Sequence, residues 1–298
     1  MQTSLSAMFR LGATGLTGGM TQTETQTQSA TGTTLVIGGR GKTGRRVAAR
    51  LRDKGRPVRV GSRSGQPAFD WHEPAGWAAV LDGVDRVYVT YHPDLSFPGA
   101  AEQVGAFAEA AVAAGARRLV LLSGRGEQAA QRAEEAVKES GADWTVVRAS
   151  WFNQNFDEDF FLESVRAGEF ALPTADAVEA FVDADDIADV VVTALEDDRH
   201  IGRTYELSGP RLLSFGDVAA ELSKATGRQI TYVPVSDADF RAVLREQGQP
   251  EDFADLFGLL LDGRNAHLVH GVEEVLGRPP RDFSAYVREA AATGVWDV

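Results

Sequence analysis

The chain has 298 residues, is 43% hydrophobic, carries a formal net charge of −13 from 30 basic and 43 acidic side chains, and contains no cysteine. This length and apolar content suffice for one large α/β domain or a domain with a smaller lobe, while the lack of cysteine excludes disulfides, thiolate metal sites and a Cys nucleophile. Scattered basic residues in an acidic chain argue against a nucleic-acid partner. No apolar run reaches the roughly 20 residues of a membrane span and no secretory segment is present, so no membrane partner and a cytoplasmic location are expected.

Residues 1–32, rich in Thr, Gln, Gly and Ser, read as a disordered leader. Leu11 to Gly18 has the glycine spacing of a phosphate loop, but no β-branched strand precedes it and no apolar helix face follows. Thr34 to Val47 has all three parts: an apolar strand, a glycine turn and a helix start. Gly38 takes the tight turn, Gly41 lets a pyrophosphate approach the backbone, and Gly44 lets the helix press against the sheet. The N–H groups of a helix from about Thr43 to Lys54 would then hold the phosphates. Lys42, in the first turn, either touches phosphate or faces water.

A second strand, Val58 to Gly61, ends in Ser62-Arg63-Ser64, with no carboxylate to bind ribose hydroxyls. Arg63 can pair with a 2′-phosphate, Ser62 can donate a hydroxyl, and Arg40 can close on the same group, so the expected cofactor is NADPH. Phe69-Asp70-Trp71 reads as the end of a third strand: either Asp70 accepts from the adenine amino group and Trp71 walls the base, or Trp71 is core and Asp70 caps a turn. Strands follow at Arg86–Thr90, Leu119–Ser123 and Trp144–Arg148, with helical stretches at Gly99–Gly115 and Gly126–Gly141. Such alternation predicts right-handed βαβ units, that is, a Rossmann-type doubly wound parallel sheet over residues 33–150.

Ligands of such sheets bind beyond the carboxyl ends of the strands, which puts Thr90, Tyr91 and His92 at the crevice. Tyr91 and His92 are candidate proton donors, Tyr91 alternatively packing under the nicotinamide. Ser123 binds substrate or ribose, or caps a turn. Residues 151–298 form a smaller substrate lobe interleaved with the sheet, opening on an aromatic and amide cluster in which Trp151, Phe152 and Asn155 are either the substrate wall or core. Asp183 or Asp185 caps a helix burying Ile187, Val190, Val191 and Ala194, Tyr205–Leu207 is a further strand, and Ser214 caps a helix to about Thr226. Ile230–Val233 reads as another strand, and Phe253–Leu261 as a lid or a subunit contact. His267 and His270 have no carboxylate partner nearby, so no metal is expected.

Gly38-Gly39-Arg40-Gly41-Lys42-Thr43-Gly44-Arg45-Arg46, Leu122-Ser123, Glu135 to Arg148 and Asp185-Asp186-Ile187-Ala188 together resemble the NmrA-like branch of the atypical short-chain dehydrogenases. Ser62-Arg63-Ser64, Phe69-Asp70-Trp71 and Trp151 to Phe156 most resemble its ergot-alkaloid-type reductases. The resemblance implies NADPH-dependent reduction of an imine or iminium carbon, with quinone and azo reduction and a non-catalytic redox sensor also found in the branch. Ala149 departs from the proline many relatives carry there. None of the five tyrosines (88, 91, 205, 232, 286) has a lysine four residues later, so the Tyr-x-x-x-Lys device for ketone reduction is missing. Hydride transfer to an electron-poor imine, iminium or quinone needs little protein acid, and is the expected reaction. The expected partner is a small molecule, and the chain is expected as a monomer or homodimer.

Overall fold

The computed structural model describes residues 32–298 except 159, 175 and 247, so the expected leader lies, apart from Gly32, outside the described residues. The first half alternates strands β1 (Thr33–Ile37), β2 (Val58–Gly61), β3 (Val84–Val89), β4 (Arg118–Gly124) and β5 (Asp143–Ala149) with helices α1 (Lys42–Asp53), α2 (Trp77–Leu81), α3 (Ala100–Ala113) and α4 (Gln131–Glu139). The second half contributes α5 (Leu162–Ala167), β6 (Glu169–Leu172), β7 (Val178–Glu179), α6 (Ala184–Glu196), β8 (Arg203–Leu207), β9 (Leu213–Ser214), α7 (Phe215–Thr226) and β10 (Thr231–Pro234). Helices α8 (Asp237–Glu246), α9 (Asp252–Leu260), α10 (Gly271–Leu276) and α11 (Phe283–Ala292) complete it.

Among the described residues six strands form a parallel sheet in the order β2-β1-β3-β4-β5-β8. The strand order reverses at β1, with β2 on one side and β3 on the other, which opens the crevice where this architecture binds nucleotides. Alternate strand residues feed two apolar layers, as a sheet covered on both faces requires. Leu35, Ile37, Val87, Val89, Leu119 and Leu121 belong to the layer with residues of α2, α3 and α4, whereas Val36, Tyr88, Val120 and Val147 pack with residues of α1 and α6. Residues after 150 therefore complete the first sheet, since β8 is its sixth strand and α6 covers one face. A third, aromatic core holds the rest of the second half together, built on Phe156, Phe161, Phe170, Phe181, Phe215 and Phe283. The short pairs β10-β6 and β7-β9 flank it.

Two expectations are corrected. Phe69-Asp70-Trp71 ends no strand. Phe69 and Trp71 are buried, Trp71 lies 5.3 Å from Phe107 of α3 between ring centroids, and Asp70 Oδ1 accepts from the His72 amide at 2.9 Å. Alternating aromatic and polar residues imitate a strand here because the loop inserts both rings beneath α3. The strand after it is thus the third of the sheet rather than the fourth. The helix expected from Gly126 starts at Gln131, leaving 125–130 as a loop over the carboxyl end of β4.

Helix α6 opens as its sequence directs: Asp183 is the N-cap, accepting from the Asp185 amide at 2.8 Å. Its carboxylates lace it to α1 and to the C-terminal segment. Arg50 pairs with Asp185 at 2.7 Å and Asp189 at 2.5 Å, Arg46 with Asp185 and with Glu158, and Arg278 brings the C-terminal segment onto Asp186 and Asp189, both at 2.6 Å.

Candidate active site

The glycine turn between β1 and α1 is compressed to a degree only glycine allows. Gly38 has φ +64°, and a Cβ there would meet Thr90 Oγ1 at 2.5 Å. A Cβ on Gly44 would lie 2.2 Å from the Gly38 carbonyl oxygen, so helix and turn touch backbone to backbone. Gly41 is the N-cap of α1, no side chain caps the helix, and its first turn holds no acidic residue. The first N–H groups of an α-helix have no intrahelical partner, so the amides that open α1 are of the kind that can receive an anion. Thr43 is buried there, its Oγ1 accepting from Tyr88 Oη at 2.9 Å.

An open cleft of about 470 Å³ runs along β2 from Pro57 to Val60 and past its tip, where Arg40, Ser62, Gly65 and Gln66 line it. The Ser62 hydroxyl oxygen is buried with no hydrogen-bond partner among the described residues, and Arg63 beside it is exposed. A buried unpaired hydroxyl is costly unless a ligand supplies its partner. Together with the glycine turn, this cleft suits an NAD(P)H-type dinucleotide.

Thr90 continues from β3 and donates to the Ile37 carbonyl at 3.1 Å, tying the crevice to the end of β1. Tyr91 turns outward from it: its ring lies 5.1 Å from that of Trp71 and its hydroxyl donates to Gln103 of α3 at 3.0 Å. Burial and the nearby Glu102 raise its phenol further, which disfavours it as an acid. His92 is exposed. Ser123 is committed as well, donating to Glu134 Oε1 at 2.7 Å. Glu134, 0% exposed, is satisfied by Arg148 through Nε at 2.9 Å and Nη2 at 2.7 Å. These hydroxyls thus have internal partners that the sequence does not display.

The structure joins two groups of expected residues. Lys42 Nζ donates to Asn155 Oδ1 at 2.9 Å and lies 6.0 Å from the centre of the Phe152 ring, so the start of α1 is bound directly to the aromatic and amide cluster. Trp151 is buried against Phe257 at 5.1 Å and Phe215 at 5.6 Å, with its Nε1 lacking an acceptor. Asp70 lies in the turn described above.

Sequence reasoning misses four buried polar residues. Asn153 is 0% exposed and Glu179 1% exposed, neither with a side-chain polar atom partnered among the described residues, and Arg125 and Glu127 occupy the loop after β4. The cue for the last two is Gly124-Arg125-Gly126-Glu127, charged residues spaced by glycines immediately after a strand.

Burial pushes the Glu179 carboxyl up to about 7, partly opposed by Arg125. A carboxyl raised in the folded state contributes its stability fully below its unfolded value and loses it as pH rises through the folded one. Stability should therefore decline between about pH 4.5 and 7, by roughly 3 kcal/mol from this residue. Asp157, pushed up by burial to about 6 although Tyr286 donates to it, adds to the same decline. In Glu179→Gln the fall in Tm between pH 5 and 8 should shrink markedly; an unchanged pH profile would refute the assignment.

A family model described as NAD(P)H-binding matches residues 38–198. The NAD(P)H azoreductase of Xenophilus azovorans is 31% identical over 284 residues, spanning 87% of this chain and 98% of its own. Festuclavine dehydrogenase of Aspergillus fumigatus is 32% identical over 289 residues, spanning 87% and 98%. The NADPH-dependent quinone oxidoreductase of Escherichia coli, solved with NADPH, shares the fold with a TM-score of 0.71 at 22% identity, over 86% of this chain and 99% of that one.

Proposed function

Because the chain belongs to the NAD(P)H-binding family, in its NmrA-like branch of atypical short-chain reductases, and is an NAD(P)H-dependent oxidoreductase, we propose that it uses NADPH to reduce a small aromatic or heterocyclic imine, iminium or quinone. The observation that carries the cofactor half is the uncapped, acid-free start of α1 beneath the glycine turn, with the lone Ser62 hydroxyl at the neighbouring strand tip. Arg63 and Arg40 supply two cations there where an NAD site would use a carboxylate.

When bound, reduced nicotinamide supplies a hydride to an electron-poor centre. The chain's own contribution is to hold the phosphates on the α1 amides, to anchor the ribose phosphate through Ser62, Arg63 and Arg40, and to line the acceptor with Phe152 and Trp151. Lys42, bonded to Asn155, fixes that wall relative to the phosphate cradle. A centre held in register beside the hydride needs orientation above all.

The test follows NADPH absorbance with a panel of quinones and cyclic imines. Consumption supports the reductase, whereas tight NADPH binding without oxidation by any acceptor supports a non-catalytic redox sensor. For cofactor choice, Arg63→Ala should weaken NADPH at least tenfold in calorimetry, about 1.4 kcal/mol, and barely affect NADH. Equal losses for both would reject the phosphate contact.

A further inference from the structure

We propose that Glu127 is the general acid of this enzyme, a buried carboxylic acid that protonates the heteroatom of a neutral acceptor as the hydride arrives. The inference rests on the reductase reading above and adds a proton donor to it. Glu127 stands in the loop after β4, at the carboxyl end of the sheet, with Asp94 of the segment after β3 as a neighbour. Its side chain is seated on Gly124 so closely that a Cβ there would fall 1.8 Å from Oε1. Only glycine in that position admits the carboxyl.

Two carboxyl groups at this end of the sheet are treated in opposite ways. Glu134 is neutralised by Arg148 and accepts from Ser123, as a buried carboxylate requires. Glu127, 7% exposed, has no such cation among the described residues: no donor there reaches its Oε2, and its acidic neighbour is the carboxyl of Asp94. Two carboxyls in contact hold a proton between them, because both cannot ionise at short range. Asp94 Oδ1 takes the Ser96 amide at 2.8 Å and hydroxyl at 2.6 Å, and in the proposed acid the shared proton resides on Glu127. The charged and titratable groups facing Glu127 are Asp94 and, from α4, Glu134 with its partners Arg148 and Lys138; Arg264 approaches the same loop through the Gly126 carbonyl. Burial first, then Asp94 and Glu134, keep the Glu127 carboxyl well above the ordinary carboxylate range.

The step balances. A C=N, N=N or quinone C=O acceptor gains a hydride from the reduced cofactor at one atom, the π electron pair moves to the heteroatom, and that atom takes the proton from Glu127. Glu127 is left as carboxylate and regains a proton from solvent. An iminium cation accepts hydride alone and leaves the acid unused.

The experiment compares wild type, Glu127→Gln and Asp94→Asn with NADPH, using methyl red, whose N=N bond is uncharged, and N-methyl-3,4-dihydroisoquinolinium, whose C=N bond is cationic. With methyl red, Glu127→Gln should lower kcat by about 10²-fold or more and abolish the decline of wild-type kcat at rising pH. With the isoquinolinium its loss should be at least tenfold smaller. Asp94→Asn should move the alkaline decline to lower pH, since the charge that holds the proton on Glu127 is gone. Independently of turnover, the infrared difference spectrum of cofactor-free wild type minus Glu127→Gln at neutral pH should show a protonated-carboxyl band beyond the contributions of Glu179 and Asp157, which both proteins share. An equal loss on both acceptors, an unchanged pH profile, or the absence of that difference band would each overturn the proposal. Wild type that binds NADPH but reduces neither probe, with the band present, contradicts the reductase reading instead.

Discussion

Gly44→Ala is expected to abolish useful dinucleotide binding, with Kd rising at least 100-fold, about 2.7 kcal/mol. The added Cβ would sit 2.2 Å from the Gly38 carbonyl oxygen, 2.7 Å from its carbonyl carbon and 2.9 Å from Gly39 Cα. All three are backbone atoms of the turn that shapes the cradle, so no rotamer relieves the clash and α1 must back away from the sheet. Tm should fall too, by roughly 2–4 °C per kcal/mol of strain in a chain of this size. Gly41→Ala is the informative contrast. Its φ of −77° suits any residue and its Cβ would meet only the Gly38 carbonyl oxygen, at 3.3 Å. Stability should change by under about 0.5 kcal/mol, while the methyl group occupies the approach of the pyrophosphate and weakens binding. Thermal melts with isothermal calorimetry on both variants separate the two requirements. Unaltered NADPH affinity in Gly44→Ala would sink the cradle.

Arg148→Met should destabilise the protein by about 3–5 kcal/mol, since it strands the fully buried Glu134 without its guanidinium. Lys138 lies 3.9 Å from Glu134 Oε2 and Ser123 still donates to Oε1, but neither replaces a two-pronged partner. The double variant Glu134→Met/Arg148→Met should recover most of the loss, because an apolar pair removes the desolvation cost along with the charge. Urea titrations of the three proteins test this. A single variant within 1 kcal/mol of wild type would show that Glu134 is satisfied by other means.

The sheet was legible because period and composition agree there. Val58–Gly61 is read to the residue, and Leu119–Ser123 and Trp144–Arg148 lengthen by one residue at each end. Apolar β-branched strands between helices have one low-energy arrangement, and their pattern carries it. Phe69-Asp70-Trp71 misleads because burial of alternate residues is not confined to strands. The turn between β1 and α1 was legible from three glycines in context. The crevice was not, because Tyr91, Ser123 and Glu127 differ by which remote group each meets: Gln103, Glu134 and Asp94. A hydroxyl already committed and a carboxyl held by another carboxyl look alike in one dimension, since both depend on contacts made only when separate βα units meet.

The arginine and carboxylate lacing between α1 and α6 restricts how this architecture can be recombined. Arg46 and Arg50 stand on the very helix whose first turn we propose as the phosphate cradle, yet their counter-ions come from Glu158, Asp185 and Asp189, more than a hundred residues downstream. A chimera grafting a relative's substrate half onto this nucleotide half therefore inherits a mismatch far from any ligand. Without carboxylates in step with those two guanidiniums, the transplant leaves like charges facing one another along the cofactor helix, and swaps intended to alter substrate preference would first loosen the coenzyme.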